Sequence, residues 1–389
     1  MIDYDKAIAR SVQAIRPSGI RKFFDIAAEM EDVISLSIGE PDFVTPWHIR
    51  EAGIASLERG MTHYTSNAGL IELRQAISEY MKRRFKLEYQ ESELIVTVGG
   101  SEAIDIAIRS LVDPGDEVLI PEPSFVCYDP ITRLAGGVAK PIVTRAESDF
   151  RLTADQLKAA ITPKTKLLIL PYPNNPTGAV MRREDLEEIA AVLRGTDIFV
   201  LSDEIYAELT YGARHVSVAS IEGMKERTIV VNGFSKAFAM TGWRLGFLAG
   251  PQPLIKAMLK VHQFAIMSSP STSQYAAVEA MTSGDEDVRL MRADYNRRRK
   301  YILDGVRKLG LPCFEPYGAF YIFPSIERFG MTSEEFCTKL LREQRLAVIP
   351  GNAFGQSGEG HIRISYAYSK ENLTEALRRL GAFTERYGK

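Results

Sequence analysis

A lysine at position 236 follows the β-branched run Thr228-Ile229-Val230-Val231 and sits among small and apolar neighbours in Gly233-Phe234-Ser235-Lys236-Ala237-Phe238. Burial there would disfavour a charged amine, lower its pKa and supply the neutral nucleophile that Schiff-base chemistry needs. A lysine can also snorkel to the surface and remain inert, so its companions decide. Asp203 closes another apolar run, where a carboxylate is costly unless it meets a cation such as a protonated pyridine nitrogen. Gly100, Ser101 and Glu102 stand where strand gives way to helix. Their amides and the helix dipole can cradle a phosphate, although Ser101 is equally suited to be a plain N-cap. Ser235 and Arg244 flank the lysine and can add a hydroxyl and a bidentate guanidinium to the same phosphate. Asn175 and Tyr206 can each hydrogen-bond a ring oxygen.

The elements that position these groups are written in the hydrophobic pattern. From Glu93 onward, apolar runs at 94–98, 117–120, 166–170 and 198–201 alternate with helical segments at 101–110, 126–135 and 183–193. Continuous apolar strands between helices predict βαβ units and a mostly parallel sheet covered by helices on both faces. Ligands in such sheets sit at the carboxyl ends of the strands. The polar stretches lie at those ends: Gly99-Gly100-Ser101-Glu102, Pro171-Tyr172-Pro173-Asn174-Asn175, Ser202-Asp203-Glu204 and Gly233-Phe234-Ser235-Lys236. Short strands around 319–323, 346–349 and 361–365, between helices at 332–343 and 369–387, predict a smaller α+β domain. The expected organisation is an N-terminal segment (1–45) packing with a small C-terminal domain (286–389), and a large domain (46–285) between them. Helices are also expected at 46–59 and 70–85, separated by a donor-rich loop at 62–69. A basic run, Asn296-Arg297-Arg298-Arg299-Lys300, reads as a solvated helix face.

Composition narrows the function. Lys plus Arg total 48 and Asp plus Glu 50, so the chain carries no overall basic field for nucleic acid or an anionic membrane. The three cysteines, Cys127, Cys313 and Cys337, are widely spaced. That spacing predicts neither a disulfide framework nor a metal site and fits a reducing, cytoplasmic setting. No apolar run approaches the ~20 residues of a membrane helix, and the first residues lack a signal peptide's apolar core. The partners expected are small molecules.

Several motifs together resemble one family. Asn174-Asn175-Pro176-Thr177-Gly178, Ser202-Asp203-Glu204-Ile205-Tyr206, Ser235-Lys236 with Gly242-Trp243-Arg244-Leu245-Gly246, and Ile362-Arg363-Ile364-Ser365 occur in the order and spacing of class I pyridoxal phosphate aminotransferases of fold type I. The resemblance runs from about residue 16 to 385. Residues 20–28, with Ser37-Ile38-Gly39-Glu40-Pro41-Asp42-Phe43, are most similar to the branch that holds archaeal aromatic aminotransferases and bacterial aspartate or broad-range relatives. The resemblance implies pyridoxal 5'-phosphate as cofactor, with Lys236 as its Schiff-base partner and proton carrier and Asp203 keeping the pyridine nitrogen protonated. Tyr206 and Asn175 would bind the ring oxygen and Phe125 would stack on the ring. Gly100, Ser101, Glu102, Ser235 and Arg244 would hold the phosphate. Tyr64 would reach that phosphate from the neighbouring subunit, which implies a homodimer with shared sites. Arg363, aided by Asn175 and the amide of Gly39, would clamp the substrate α-carboxylate.

The implied reaction is a ping-pong transamination between an L-amino acid and a 2-oxo acid, with 2-oxoglutarate the expected acceptor. Bacterial aspartate enzymes of this branch carry a lysine at the place of Ser101, so aspartate, aromatic and broad donor ranges all stay open. Phe23, Phe320 and Tyr321 are candidates to line an apolar pocket. An N-acyl diaminopimelate substrate and a β-eliminating C–S lyase, which would need no acceptor, are the alternative chemistries. A non-enzymatic regulator would require an added DNA-binding domain, and the resemblance begins almost at the first residue.

Overall fold

The computed structural model describes residues 2–15, 19 and 30–388. The stretch 20–28, including Phe23, lies outside the described residues. After two short helical turns, strand β1 (Ile34–Ser35) precedes helices Trp47–Glu58 and Ile71–Phe85. Seven strands follow: β2 (Leu94–Thr97), β3 (Glu117–Glu122), β4 (Val138–Val143), β5 (Thr165–Leu170), β6 (Phe199–Asp203), β7 (Thr228–Gly233) and β8 (Gly246–Ala249). They form one sheet in the order β2-β8-β7-β6-β5-β3-β4. Pairing is parallel from β4 through β7, and β8 alone runs antiparallel to both its neighbours.

The strands are apolar throughout because both faces are covered. Ile229, Val231 and Leu201 pack toward helices Gly99–Leu111 and Gln252–Ala265. The alternate residues of the same strands face away from them, Val230 among helices Ile71–Phe85 and Ser271–Ser283 and Val200 among residues of helix Arg183–Leu193. Alternation of side chains along a strand sends successive apolar residues to opposite layers. Strand β4 was not expected. It is an edge strand with mostly exposed residues and a proline at 141, so it carries no continuous apolar signal.

A second, smaller assembly comes from both ends of the chain. Strands β9 (Tyr321–Ile322), β11 (Ile349–Pro350) and β12 (Ile362–Ser365) form an antiparallel sheet, and β1 pairs in parallel with β10 (Leu346–Ala347). The expected strand at 319–323 is shorter than its apolar run, because Ala319 sits at a positive φ of 55° and bends the backbone before β9. Helix Asp285–Lys308 carries the basic run, and only part of that run is solvated. Arg299 is buried, with its guanidinium 2.9 Å from Glu315, while Arg298 reaches Asp42 at 2.7 Å. The reading of this run as a solvated face is corrected there: these arginines tie the helix to the loops at 42 and 315.

Candidate active site

Strand ends β2, β5, β6 and β7 converge on one cavity of about 480 Å³. It is closed on the other side by Ile38, Gly39, Tyr321 and Arg363 from the smaller assembly. Gly100, Ser101, Phe125, Asn175, Asp203, Tyr206, Ser235, Lys236 and Arg244 all line it, as the sequence reading expected. Glu102 and Tyr64 are not among its walls.

Lys236 lies just beyond β7 and donates to the carbonyl oxygen of Gly39 at 2.6 Å. Its amine stands 5.7 Å from the ring centroid of Tyr206 and 5.8 Å from that of Phe320. Loss of solvation lowers its pKa to about 8, and the positive fields of Arg363 and Arg244 add to that against the opposing pull of Glu40 and Asp203. The amine stays mostly charged near pH 7, but its neutral share, the state a nucleophile and proton carrier needs, is far larger than that of an ordinary lysine.

Asp203 ends β6, fully enclosed. Tyr128 donates to one carboxylate oxygen at 2.7 Å and the Ile205 amide to the other at 3.1 Å. Burial still raises its pKa, with the two hydrogen bonds pulling the other way. A buried carboxylate that desolvation strains in this way is ready for a cationic partner.

The start of helix Gly99–Leu111 is pressed against the sheet. Gly99 has φ of +76°, and a Cβ there would lie 2.9 Å from the Arg244 guanidinium. A Cβ on Gly246 would lie 2.7 Å from the Gly99 carbonyl carbon. Only glycine permits this approach, which leaves the amides of Gly99, Gly100 and Ser101 without helical acceptors, and Gly100 and Ser101 line the cavity together with Ser235 and Arg244. Glu102 turns the other way: its carboxylate accepts the Val98 amide and pairs with His262 Nδ1 at 2.6 Å. Its observed role is to hold the first turn in place, and its side chain makes no wall of the cavity. His262 is fully buried and its Nε2 has no partner among the described residues.

Arg363, on β12, is also buried. One terminal nitrogen donates to Asn175 Oδ1 at 2.9 Å, the other to the Ser37 carbonyl, and Nε is left without a partner among the described residues. The guanidinium is flanked by the Tyr321 and Phe354 rings, at 4.5 and 4.8 Å from their centroids. All its partners are neutral, and burial lowers its pKa. Tyr206 and Tyr321 share a hydrogen bond of 2.7 Å between their hydroxyls. Gly39 abuts the Tyr321 hydroxyl so closely that no side chain fits there.

The sequence reading missed Tyr128 and His262. Tyr128 lies three residues beyond Phe125, in the helical segment expected at 126–135, yet nothing in its spacing links it to Asp203, which is 75 residues away. Phe320, expected as a pocket wall, is completely buried behind Lys236 and Tyr206. Tyr321 does line the cavity, through its hydroxyl as well as its ring. Tyr64 is 84% exposed and is not among this cavity's walls within its own chain.

Residues 31–380 match the family described as aminotransferase class I and II. The chain belongs to that family. Relatives of this aminotransferase span three substrate names. The aspartate aminotransferase of Pyrococcus abyssi is 48% identical, with 96% of this chain and 97% of that protein aligned. A Bacillus subtilis protein named as a probable N-acetyl-LL-diaminopimelate aminotransferase is also 48% identical, over 95% and 93%. The crystal structure of an aromatic aminotransferase from Pyrococcus horikoshii superimposes with a TM-score of 0.90 at 46% identity, covering 94% of this chain and 99% of that one. The enzyme is a transaminase of the α/β fold type I class.

Proposed function

We propose that this aminotransferase uses pyridoxal 5'-phosphate to move an amino group from an L-amino acid to a 2-oxo acid in two half-reactions at one site. The observation that carries this is the placement of Lys236, its pKa near 8, between the buried Asp203 on one wall and Arg363 on the other. The residues present fit that cofactor. The Gly99 to Ser101 amides, Ser235 and Arg244 make a cationic cradle for a phosphate. Asp203 is a desolvated carboxylate waiting for a positive ring nitrogen, and Phe125 and Asn175 flank the space between them. Bound there, the cofactor would supply the carbonyl that receives nitrogen and the electron sink for the substrate carbanion.

The chain's own groups do the rest. Arg363 would meet the α-carboxylate through the in-plane N–H edge of its guanidinium, where Nε has no partner among the described residues, while its faces stay against Tyr321 and Phe354; its neutral partners leave its charge uncompensated for that task. Lys236 then takes the proton from the α-carbon. Tyr206, with Tyr321 behind it, offers a hydroxyl to the ring oxygen. Among the described residues, the cations facing the cavity are Lys236, Arg244 and Arg363, so none remains for a second substrate carboxylate. This favours a donor range that includes aromatic side chains; for 2-oxoglutarate, the proposed acceptor, the distal carboxylate would be held by uncharged hydrogen-bond donors and not by a cation of this chain's cavity.

A homodimer with shared sites belongs to this reading. Val44, Trp47, Tyr64 and Phe264 leave large apolar side chains exposed, which an interface would cover. Residues 1–45 with 286–389 are proposed as one unit against 46–285, on the strength of the β1–β10 pairing.

The test is product analysis with single L-amino acids and 2-oxoglutarate. Equal amounts of glutamate and the matching oxo acid, without ammonia, are expected. Ammonia and pyruvate from cysteine-like substrates, with no need of an acceptor, would make the enzyme a lyase instead.

A further inference from the structure

A second cavity, about 780 Å³, opens on the other side of the segment that leaves the active site at Tyr206. Its walls are the end of helix Ile71–Phe85, residues 207–215, and the first half of helix Asp285–Lys308. Cations dominate these walls. Arg83, Arg84 and Arg289 are matched by Asp285, Glu208 and Glu286 respectively. Lys86, Arg214 and Arg292 have no carboxylate or hydrogen-bond partner among the described residues, and Arg292 is half-buried. Among the described residues Glu208 is the single carboxylate lining the cavity, and it is already held by Arg84 and by the Tyr80 hydroxyl at 2.5 Å. A further basic side chain, His215, pairs its Nε2 with the buried Glu204 at 2.8 Å.

Unmatched cations lining one concave wall, here the exposed Lys86 and Arg214 with the half-buried Arg292, are the usual means of recognising a multiply charged anion, whose oxygens accept several charge-assisted hydrogen bonds at once. The cavity is of the size that takes small ligands. We propose that this cleft is a second binding site, for a small polyvalent anion of the phosphate-ester or polycarboxylate type, with Lys86, Arg214 and Arg292 as its ligands. It shares no lining residue with the transamination cavity. It does share elements with it: residues 207–215 continue from Tyr206, and the helix that carries Arg292 also carries Arg298, which holds Asp42 just beyond Gly39. Occupancy is therefore expected to change the KM for the amino acid more than kcat.

Calorimetric titration of the cofactor-loaded enzyme at low salt tests this, with inorganic pyrophosphate in one arm and citrate in the other. Saturable binding at one site per chain is expected in the wild type and equally in Arg363→Ala, which removes the anion-binding group of the active site. Arg214→Ala, on an exposed loop where folding is not at stake, should weaken binding severalfold, and Arg214→Ala with Arg292→Ala by about tenfold or more. Tighter binding of pyrophosphate assigns the phosphate-ester class and tighter binding of citrate the polycarboxylate class. Binding that disappears in Arg363→Ala, binding unchanged in the double variant, or no saturable binding of either probe would overturn the proposal.

Discussion

The two halves of the catalytic cavity are built differently. On the large-sheet side every group stands within a few residues of a strand end: Asp203 closes β6, Lys236 follows β7, and Gly99 follows β2. On the other side Gly39, Tyr321 and Arg363 come from three segments separated by more than 280 and 40 residues, joined only by the β1–β10 and β9–β12 pairings and by bonds such as Arg363 to Ser37. The electrostatics differ as well. Burial and neighbouring charges tune the large-sheet groups, lowering Lys236 and raising Asp203. The Arg363 side offers a fixed cation among neutral partners. The first half is suited to hold and tune a cofactor, the second to seat a substrate carboxylate.

Mutations should separate the halves. Lys236→Ala should lose about 10⁴-fold or more in kcat, since it removes nucleophile and proton carrier together. Steady-state rates on a folded variant check this, and activity within tenfold of wild type would end the assignment. Asp203→Ala should cost about 10³-fold in kcat through loss of a preorganised charge. Tyr128→Phe, which leaves that carboxylate one donor short, should cost less, and a Tyr128 effect exceeding that of Asp203 would reverse their order. Arg363→Lys belongs to the other half and should raise the amino-acid KM by about 10²-fold, equivalent to roughly 2–3 kcal/mol for a charge-assisted pair. Its cofactor affinity should be unaltered; a variant that instead loses cofactor would dissolve the distinction.

His262→Ala and Glu102→Gln sharpen the comparison within the cofactor half. Each should weaken cofactor binding several-fold by loosening the first helical turn, and the double variant should be no worse than the poorer single one, as expected for contacting residues. Additive losses measured by cofactor titration would mean that they act separately. The smallest effect concerns pH. A lysine ordinarily titrates above 10, and in the folded chain Lys236 titrates at about 8. Its reactivity toward an amine-specific reagent in the cofactor-free protein should therefore rise as pH passes through 8, while the charged form held below that pH is disfavoured by folding. A midpoint above 10 would show that the amine is not desolvated.

The contrast between halves also explains what the sequence disclosed. Apolar runs followed by Gly, Asp or Lys mark strand ends, so the positions of Lys236, Asp203 and Gly100 could be read locally. The edge strand β4 could not, because its exposed residues and Pro141 lack the buried-strand pattern. Glu102 looked like a cofactor ligand because of its place in the motif, and only the fold shows its carboxylate turned toward His262, 160 residues away. The Tyr128 to Asp203 bond and the burial of Arg299 are likewise products of long-range packing, invisible to periodicity.

The most direct test of the account is an absorption spectrum of the cofactor-loaded enzyme during titration with one amino acid in the absence of any oxo acid. The account predicts stoichiometric conversion from the pyridoxal to the pyridoxamine absorption, reversed on adding 2-oxoglutarate, with Arg363→Lys requiring far more amino acid for the same change. A pyridoxal band that persists while ammonia accumulates, or a protein that acquires no such band, would contradict it.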